Sequence, residues 1–217
     1  NMITSLNGLY NSTPINSAII TTLAPIFIFI ISVVLLKEKI TKIKYLGVFI
    51  GFIGTITLIL LNEKSIANAP NINLGNFYFF INSLSYAIYF VLVKPLTKKY
   101  SMITIMKWLF LFSIIINIPF GLLEFTEINW DVISKNSLIK ISYVVFCTTF
   151  LVYLLNLYAL KNLKASTVGM FIYLQPVIGI LFAIYRGADK LTVADATSVI
   201  LVFAGVYLVS KRSTQIT

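Results

Sequence analysis

The chain has 217 residues, of which 59% are hydrophobic and 11% charged, and its formal net charge is +10. Ordinary soluble domains are roughly 45–50% apolar and 25% charged, so this composition excludes a water-soluble globular fold. The absence of histidine and the presence of a single cysteine, Cys147, exclude histidine-built metal sites, a zinc cluster and an intramolecular disulfide.

The apolar residues come in blocks long enough to cross a hydrocarbon core at about 1.5 Å per residue. In chain order they fall near 16–36, 45–61, 76–93, 102–123, 138–160, 165–185 and 193–210, here spans A to G. Lipid offers no partner to an open amide, so each block is predicted to be a helix. The ten-residue alternation of a membrane β-barrel is missing from the sequence. The expected fold class is an all-α integral membrane protein.

Charges in the connections set the orientation. Lys37, Lys39, Lys42 and Lys44 follow span A, Lys94, Lys98 and Lys99 follow C, Lys161 and Lys164 follow E, and Lys211 and Arg212 follow G. The alternate connections carry Lys64, Lys135, Lys140, Arg186 and Lys190, so the split is eleven basic residues against five. Basic residues accumulate on the cytoplasmic face, which puts the first set and the carboxyl terminus on the inner side of a cell membrane. Acids run the other way, Glu38 alone against Glu63, Glu124, Glu127, Asp131, Asp189 and Asp195. The positive charge is thus a topology signal, and no nucleic-acid partner is expected.

A long repeat cuts across this pattern. Pairing each residue with the one 151 positions later sets Pro25 on Pro176, Lys39 on Lys190, Thr41 on Thr192, Phe52 on Phe203 and Gly54 on Gly205. Leu6, Leu9, Asn11, Leu23 and Val48 also meet their own type, Glu38 meets Asp189 and Ile40 meets Leu191. Solenoid units run about 20–50 residues, so this is a half-protein duplication. The offset moves A onto F and B onto G across five spans, and an odd number of spans inverts the copy. Inverted repeats are an architecture with which secondary transporters open to alternate sides. The same offset places the partners of C, D and most of E before Asn1, so about 75 residues and ten helices in all are expected of a full chain.

The stretch Pro14–Ile15–Asn16–Ser17–Ala18, then Pro25, Leu36–Lys37–Glu38–Lys39–Ile40–Thr41 and Gly47 through Gly54, resembles the first EamA domain of the drug/metabolite transporter superfamily. Tyr158–Ala159–Leu160 through Leu174–Gln175–Pro176, followed by Gly205, is similar to the second. The resemblance implies a bundle of two inverted five-helix repeats around a central cavity, and transport, often export, of small metabolites or drugs. The remainder of the first repeat would cover 1–66 and the second repeat 74–212. Span G departs from the pattern, with Ser198 and Val202 where B has Gly47 and Gly51.

Candidate site residues are polar groups within spans. Pro25 and Pro176 each remove an amide donor and release the carbonyl four residues earlier, at Thr21 and Ile172, so both are expected to kink their helices and act as hinges. Asn82, Ser85, Tyr86 and Tyr89 share one stripe of C, and Thr149, Tyr153 and Asn156 one stripe of E. Span F adds Tyr173 and Gln175, and A adds Asn16, Thr21 and Thr22. Amides and phenols are unfavourable against hydrocarbon, so these groups are expected to face protein or a watery cavity. Asn16, Thr21, Asn82, Tyr86, Tyr153, Asn156, Tyr173 and Gln175 form the expected substrate-binding set.

The glycines at 47, 51 and 54 permit close helix packing. Cys147 reads as a small core residue. No acid lies near a span centre, Lys107 and Asp195 being close to ends, which leaves a buried carboxylate relay without support. A membrane enzyme would need a nucleophile with its base, paired aspartates or a metal motif, and the sequence has no such constellation. No cofactor or metal is expected. The partners expected are a small-molecule substrate and the bilayer, with a homodimer left open. The alternative function is a receptor or structural membrane protein without transport.

Overall fold

The computed structural model describes residues 2–12, 14–38, 41–61, 70–127, 133–185 and 193–210. The sequence features at Lys39, Ile40, Lys64, Asn68, Arg186 through Thr192, Lys211 and Arg212 lie outside the described residues. Among those described, every span expected from the sequence is helical and no strand occurs. The protein is an all-α membrane protein.

Span A is two helices, α2 (Pro14–Thr21) and α3 (Leu23–Leu36), after a short α1 (Met2–Asn11). Span B is α4 (Lys42–Leu61), C is α5 (Ile72–Lys99) and D is α6 (Met102–Glu127). Span E joins α7 (Lys135–Tyr143) to α8 (Val152–Asn162) through a π-helical stretch, Val144–Leu151. Span F runs from α9 (Ala165–Met170) through a 3₁₀ turn, Phe171–Tyr173, into α10 (Leu174–Tyr185), and G is α11 (Val193–Ser210). Asn16–Leu36, Ile72–Lys99, Met102–Pro119 and Lys135–Asn162 have the length and apolar composition to cross a membrane.

The two proline breaks match. In span A the helix is interrupted at Thr22, three residues before Pro25, and in span F the 3₁₀ turn ends at Tyr173, three residues before Pro176. Tyr173 is the residue 151 after Thr22. A proline is tolerated in the first turn of a helix, where its missing amide has no partner to lose, so each one starts a new helix rather than bending an old one.

The described residues within 1–92 and 164–217 form one compact unit, and those within 93–163 another. The core of the first is a cluster of Phe29, Val48, Met170, Tyr173, Val177 and Val202, extended by Val206 and Val209. Its central contact is α4 against α11. A Cβ on Gly205 would lie 2.6 Å from the Gly47 carbonyl oxygen and 2.6 Å from the Gly51 amide nitrogen, so the two backbones touch where side chains are absent. A Cβ on Gly54 would lie 2.9 Å from the Ser198 carbonyl oxygen. Ser198 is the repeat partner of Gly47, and Gly205 that of Gly54. Reciprocal contacts, in which i meets the copy of j and j meets the copy of i, are the mark of a two-fold axis. The helices therefore run antiparallel, as inverted copies must.

In the second unit, Phe110 of α6 stacks on Phe150 with ring centroids 6.5 Å apart and tilts against Tyr153 at 5.9 Å. The Lys94 ammonium donates to the Leu160 and Leu163 carbonyls, closing the carboxyl end of α8, where a cation also meets the negative end of the helix dipole. Thr149 donates its hydroxyl to the Val144 carbonyl at 3.2 Å, five residues back, in keeping with the widened π turn. Cys147, expected in a core, is instead a partly exposed free thiol. No residue of Lys135–Tyr143 or Val144–Leu151 is buried, so the position has little to pack against.

Candidate functional site

The two helix breaks share one cavity in the first unit. It measures about 240 Å³ and is lined by Ala18, Thr21 and Thr22 from the first half of the chain and by Ile172, Tyr173, Gln175 and Pro176 from the second. Thr21 and Ile172 are repeat partners, as are Thr22 and Tyr173, so the walls are contributed by equivalent positions of the two copies. Thr21 and Ile172 are also the residues whose carbonyls Pro25 and Pro176 deprive of an i+4 amide. The Ile172 carbonyl keeps a short-range contact with the Leu174 amide.

The hydroxyls on the wall are already committed as donors. Thr21 Oγ1 donates to the carbonyls of Ser17 at 2.8 Å and Ala18 at 3.0 Å, and Thr22 Oγ1 donates to that of Ile19 at 2.6 Å. A hydroxyl has one hydrogen and two lone pairs, so both keep acceptor capacity only. The Tyr173 side chain is 1% exposed and its hydroxyl is buried without a hydrogen-bond partner. Gln175 is exposed. None of the lining residues is ionisable except the tyrosine.

Of the residues expected from the sequence to bind substrate, Thr21, Tyr173 and Gln175 line this cavity, together with the hinge residue Pro176. Asn16 donates to Ser12 Oγ at 3.3 Å, and Ser12 in turn donates to Asn76 Oδ1 at 2.7 Å. Asn82 donates to Thr4 Oγ1 at 3.4 Å. Tyr86 tilts against Phe90 with ring centroids 5.5 Å apart and against Tyr89 at 6.3 Å. Tyr153, on Phe110, and Asn156 belong to the second unit. Ala18 and Ile172 are lining residues that polarity could not reveal. Ile172 was nevertheless marked twice in the sequence, as the repeat partner of Thr21 and as the residue four before Pro176.

A second polar cluster joins the halves of the chain. Lys37 takes a left-handed conformation, φ 51°, as α3 ends, and the turn presents Glu38 to the start of α9. Glu38 Oε1 accepts the Ala165 amide at 2.9 Å and Oε2 accepts the Ser166 hydroxyl at 2.5 Å. A carboxylate at the first turn satisfies an otherwise orphaned amide and faces the positive end of the helix dipole. Burial pushes the Lys44 ammonium, just before span B, below the usual lysine range, Lys164 adds to that shift, and Glu38 opposes it.

The EamA-like transporter family matches residues 2–60 and 73–211. An uncharacterized transporter of Archaeoglobus fulgidus is 30% identical over 208 residues, covering 96% of this chain and 71% of that protein. The uncharacterized transporter YyaM of Bacillus subtilis is 25% identical over 203 residues, covering 94% of this chain and 66% of its own length. One crystal structure of a protein superposes with a TM-score of 0.79 at 15% identity, over 96% of this chain and 71% of that one, which is a likeness of fold.

Proposed function

The chain belongs to the EamA-like transporter family and is a membrane transporter, and we propose that it moves small uncharged or zwitterionic metabolites, such as amino acids and their derivatives, or drugs of similar size. The observation that carries this reading is the cavity formed where the broken helices of the two copies meet. Discontinuous helices at equivalent places in inverted repeats are where secondary transporters build substrate sites. At about 240 Å³ the cavity is smaller than the roughly 300–1,000 Å³ of drug-sized sites, which favours the metabolite. Its walls offer hydroxyls, an amide and a phenol but no charge to balance a strongly ionic cargo.

The mechanism that suits this construction is alternating access. The breaks at Thr22 and Phe171–Tyr173 let the two parts of each broken helix move as separate rods, while the glycine contact of α4 with α11 holds the copies together. Asn16, Asn82 and Tyr86 of the same unit extend the proposed substrate pathway, and Pro25 and Pro176 are its hinges. Orientation in the cell membrane follows the basic residues, with the carboxyl terminus cytoplasmic. Family membership favours transport over the receptor or structural alternative and over an enzyme.

An export and resistance screen of the full-length protein against a metabolite panel tests the proposal. The substrate that emerges should lose affinity in Tyr173→Ala and Gln175→Ala, two residues of the cavity wall. Wild-type concentration dependence in both variants would reject the cavity as the substrate site.

A further inference from the structure

We propose that Glu38 is a one-sided latch, which holds the two copies shut at one end of the transport path and so sets the direction the protein faces at rest. The proposal rests on reading the protein as an alternating-access transporter. Each copy brings one broken helix to the path, and the two seams between these helices are related by the repeat. α3 lies against α9, and the copy of that pair is α10 against α2. In a fully symmetric molecule both seams would look alike. Here they differ.

Along the α3 and α9 seam the packing is tight. A Cβ on Gly169 would lie 2.9 Å from Ile28 Cγ2, Ile28 is 0% exposed, and every residue of Ala165–Met170 is buried. The mirror positions are Ala18 and Gly179. Ala18 lines the cavity, and a Cβ on Gly179 would meet nothing within 4 Å among the described residues. Residues 16–19 of α2 are partly exposed where their copies, 167–170, are buried. One seam is shut and the other parted, as in a transporter that is open to one side only. The basic residues mark the shut, inner end as cytoplasmic.

The chemistry at the shut end has no copy at the other. Glu38 accepts the Ala165 amide and the Ser166 hydroxyl. The repeat partners of those two donors are Pro14 and Ile15, and the first lacks an amide while the second lacks a hydroxyl. Closing the outer seam therefore does not recover the bonds that opening the inner one breaks. That difference weights the equilibrium toward the form shut at Glu38, because a conformational balance moves by the free energy that separates its two states.

The test uses the full-length protein in detergent, where a reagent reaches both ends, in a Cys147→Ala background. Val168→Cys reports the α3 and α9 seam and Ala18→Cys the α2 and α10 seam, each by its rate of maleimide labelling. With Glu38 in place, position 18 should label at least tenfold faster than position 168. Glu38→Ala should raise the rate at 168 about tenfold and lower it at 18, the scale of a hydrogen bond to a charged group. Ser166→Ala, which removes one of the two donors, should shift both rates in the same directions by less. A merely structural tie would behave differently, since loosening the fold exposes both positions. Rates that rise together in Glu38→Ala, or do not change, therefore overturn the latch. A mixture of amino acids added to the protein with Glu38 intact scores the underlying reading separately. If the mixture trades the two rates against each other while Glu38→Ala does not, alternating access stands and the latch is rejected. If Glu38→Ala trades them and the mixture does nothing, the latch is supported and an amino acid as cargo is not.

Discussion

The Glu38 carboxylate accepts the Ser166 hydroxyl at 2.5 Å while its other oxygen accepts the Ala165 amide, and this ties the end of α3 to the start of α9 across 128 residues of sequence. Ser166 is 1% exposed and Ala165 is fully buried, so water is a poor substitute for the carboxylate. Hydrogen bonds to a charged group contribute about 1.5–3 kcal/mol, and Glu38→Ala is expected to lower stability by about 2 kcal/mol. Glu38→Gln keeps one acceptor and should lose about half as much. Thermal unfolding of the purified variants in detergent measures both. Equal stability of Glu38→Ala and wild type would show that the bond is exchanged for solvent at no cost.

Lys44 gives this cluster a pH signature. Its ammonium is disfavoured in the folded protein, first by burial and then by Lys164, so the folded form releases the proton at lower pH than the unfolded chain does. Between the depressed value and the ordinary 10.5 the unfolded chain binds more protons, and stability from this group rises with pH. Glu38 opposes the shift, so Glu38→Gln should lower the Lys44 pKa further and widen that window. Unfolding midpoints of wild type, Glu38→Gln and Lys44→Gln across alkaline pH provide the check. A slope that survives Lys44→Gln unchanged must come from another group.

The α4 and α11 contact predicts a contrast between glycines. Gly205→Ala drives a methyl group into the Gly47 and Gly51 backbones, where neither side can yield by turning a side chain. Overpacking of this kind costs about 1–3 kcal/mol, and a loss toward the upper end is expected. Gly121 has nothing within 4 Å of an added Cβ, so Gly121→Ala should be neutral or slightly stabilising through helix propensity. Yield of monodisperse protein and unfolding temperature separate the two. Similar losses in both would place the sensitivity in insertion rather than packing.

Much of this architecture was legible because the constraints are local or periodic. Uninterrupted apolar length announced each helix, and Pro25 and Pro176 announced two breaks. The breaks fall at Thr22 and Tyr173 because the missing proton affects the carbonyl behind the proline, not the proline itself. Polar stripes were weaker guides. Asn7 and Asn11 bond backbone carbonyls four residues back in their own helix, and Ser83 reaches the Ile20 carbonyl at 3.3 Å, so a polar side chain in a span has outlets other than a cavity. The Glu38 cap was hidden for another reason. Its partner is a main-chain amide, which every residue but proline has, so no residue type marks the far end of the contact.

Pro25 and Pro176 are expected to matter more to transport than to folding. Replacing either by alanine returns an amide to the helix and lets Thr21 or Ile172 regain its i+4 bond, which closes one break. Transport rate per folded molecule in proteoliposomes should fall at least tenfold, whereas the amount of folded protein in the membrane should fall less than twofold. The double variant should be no worse than the more affected single one if the two breaks serve a single motion. Parallel loss of protein and activity would make the prolines structural.

Topology gives the last prediction. Lys42 opens α4 on the side that the basic residues mark as cytoplasmic, and the charge pattern of the sequence predicts the opposite side for position 68. α4 has 20 residues, enough at about 1.5 Å per residue to cross the hydrocarbon core, so the predicted topology makes positions 42 and 68 differ in accessibility. In a Cys147→Ala background, an impermeant maleimide added to intact cells should label Asn68→Cys and spare Lys42→Cys until the membrane is opened. The reverse pattern would turn the protein over. Labelling of both positions from outside would deny that α4 crosses the bilayer, and with it the antiparallel pairing to α11 as a relation between two spanning helices.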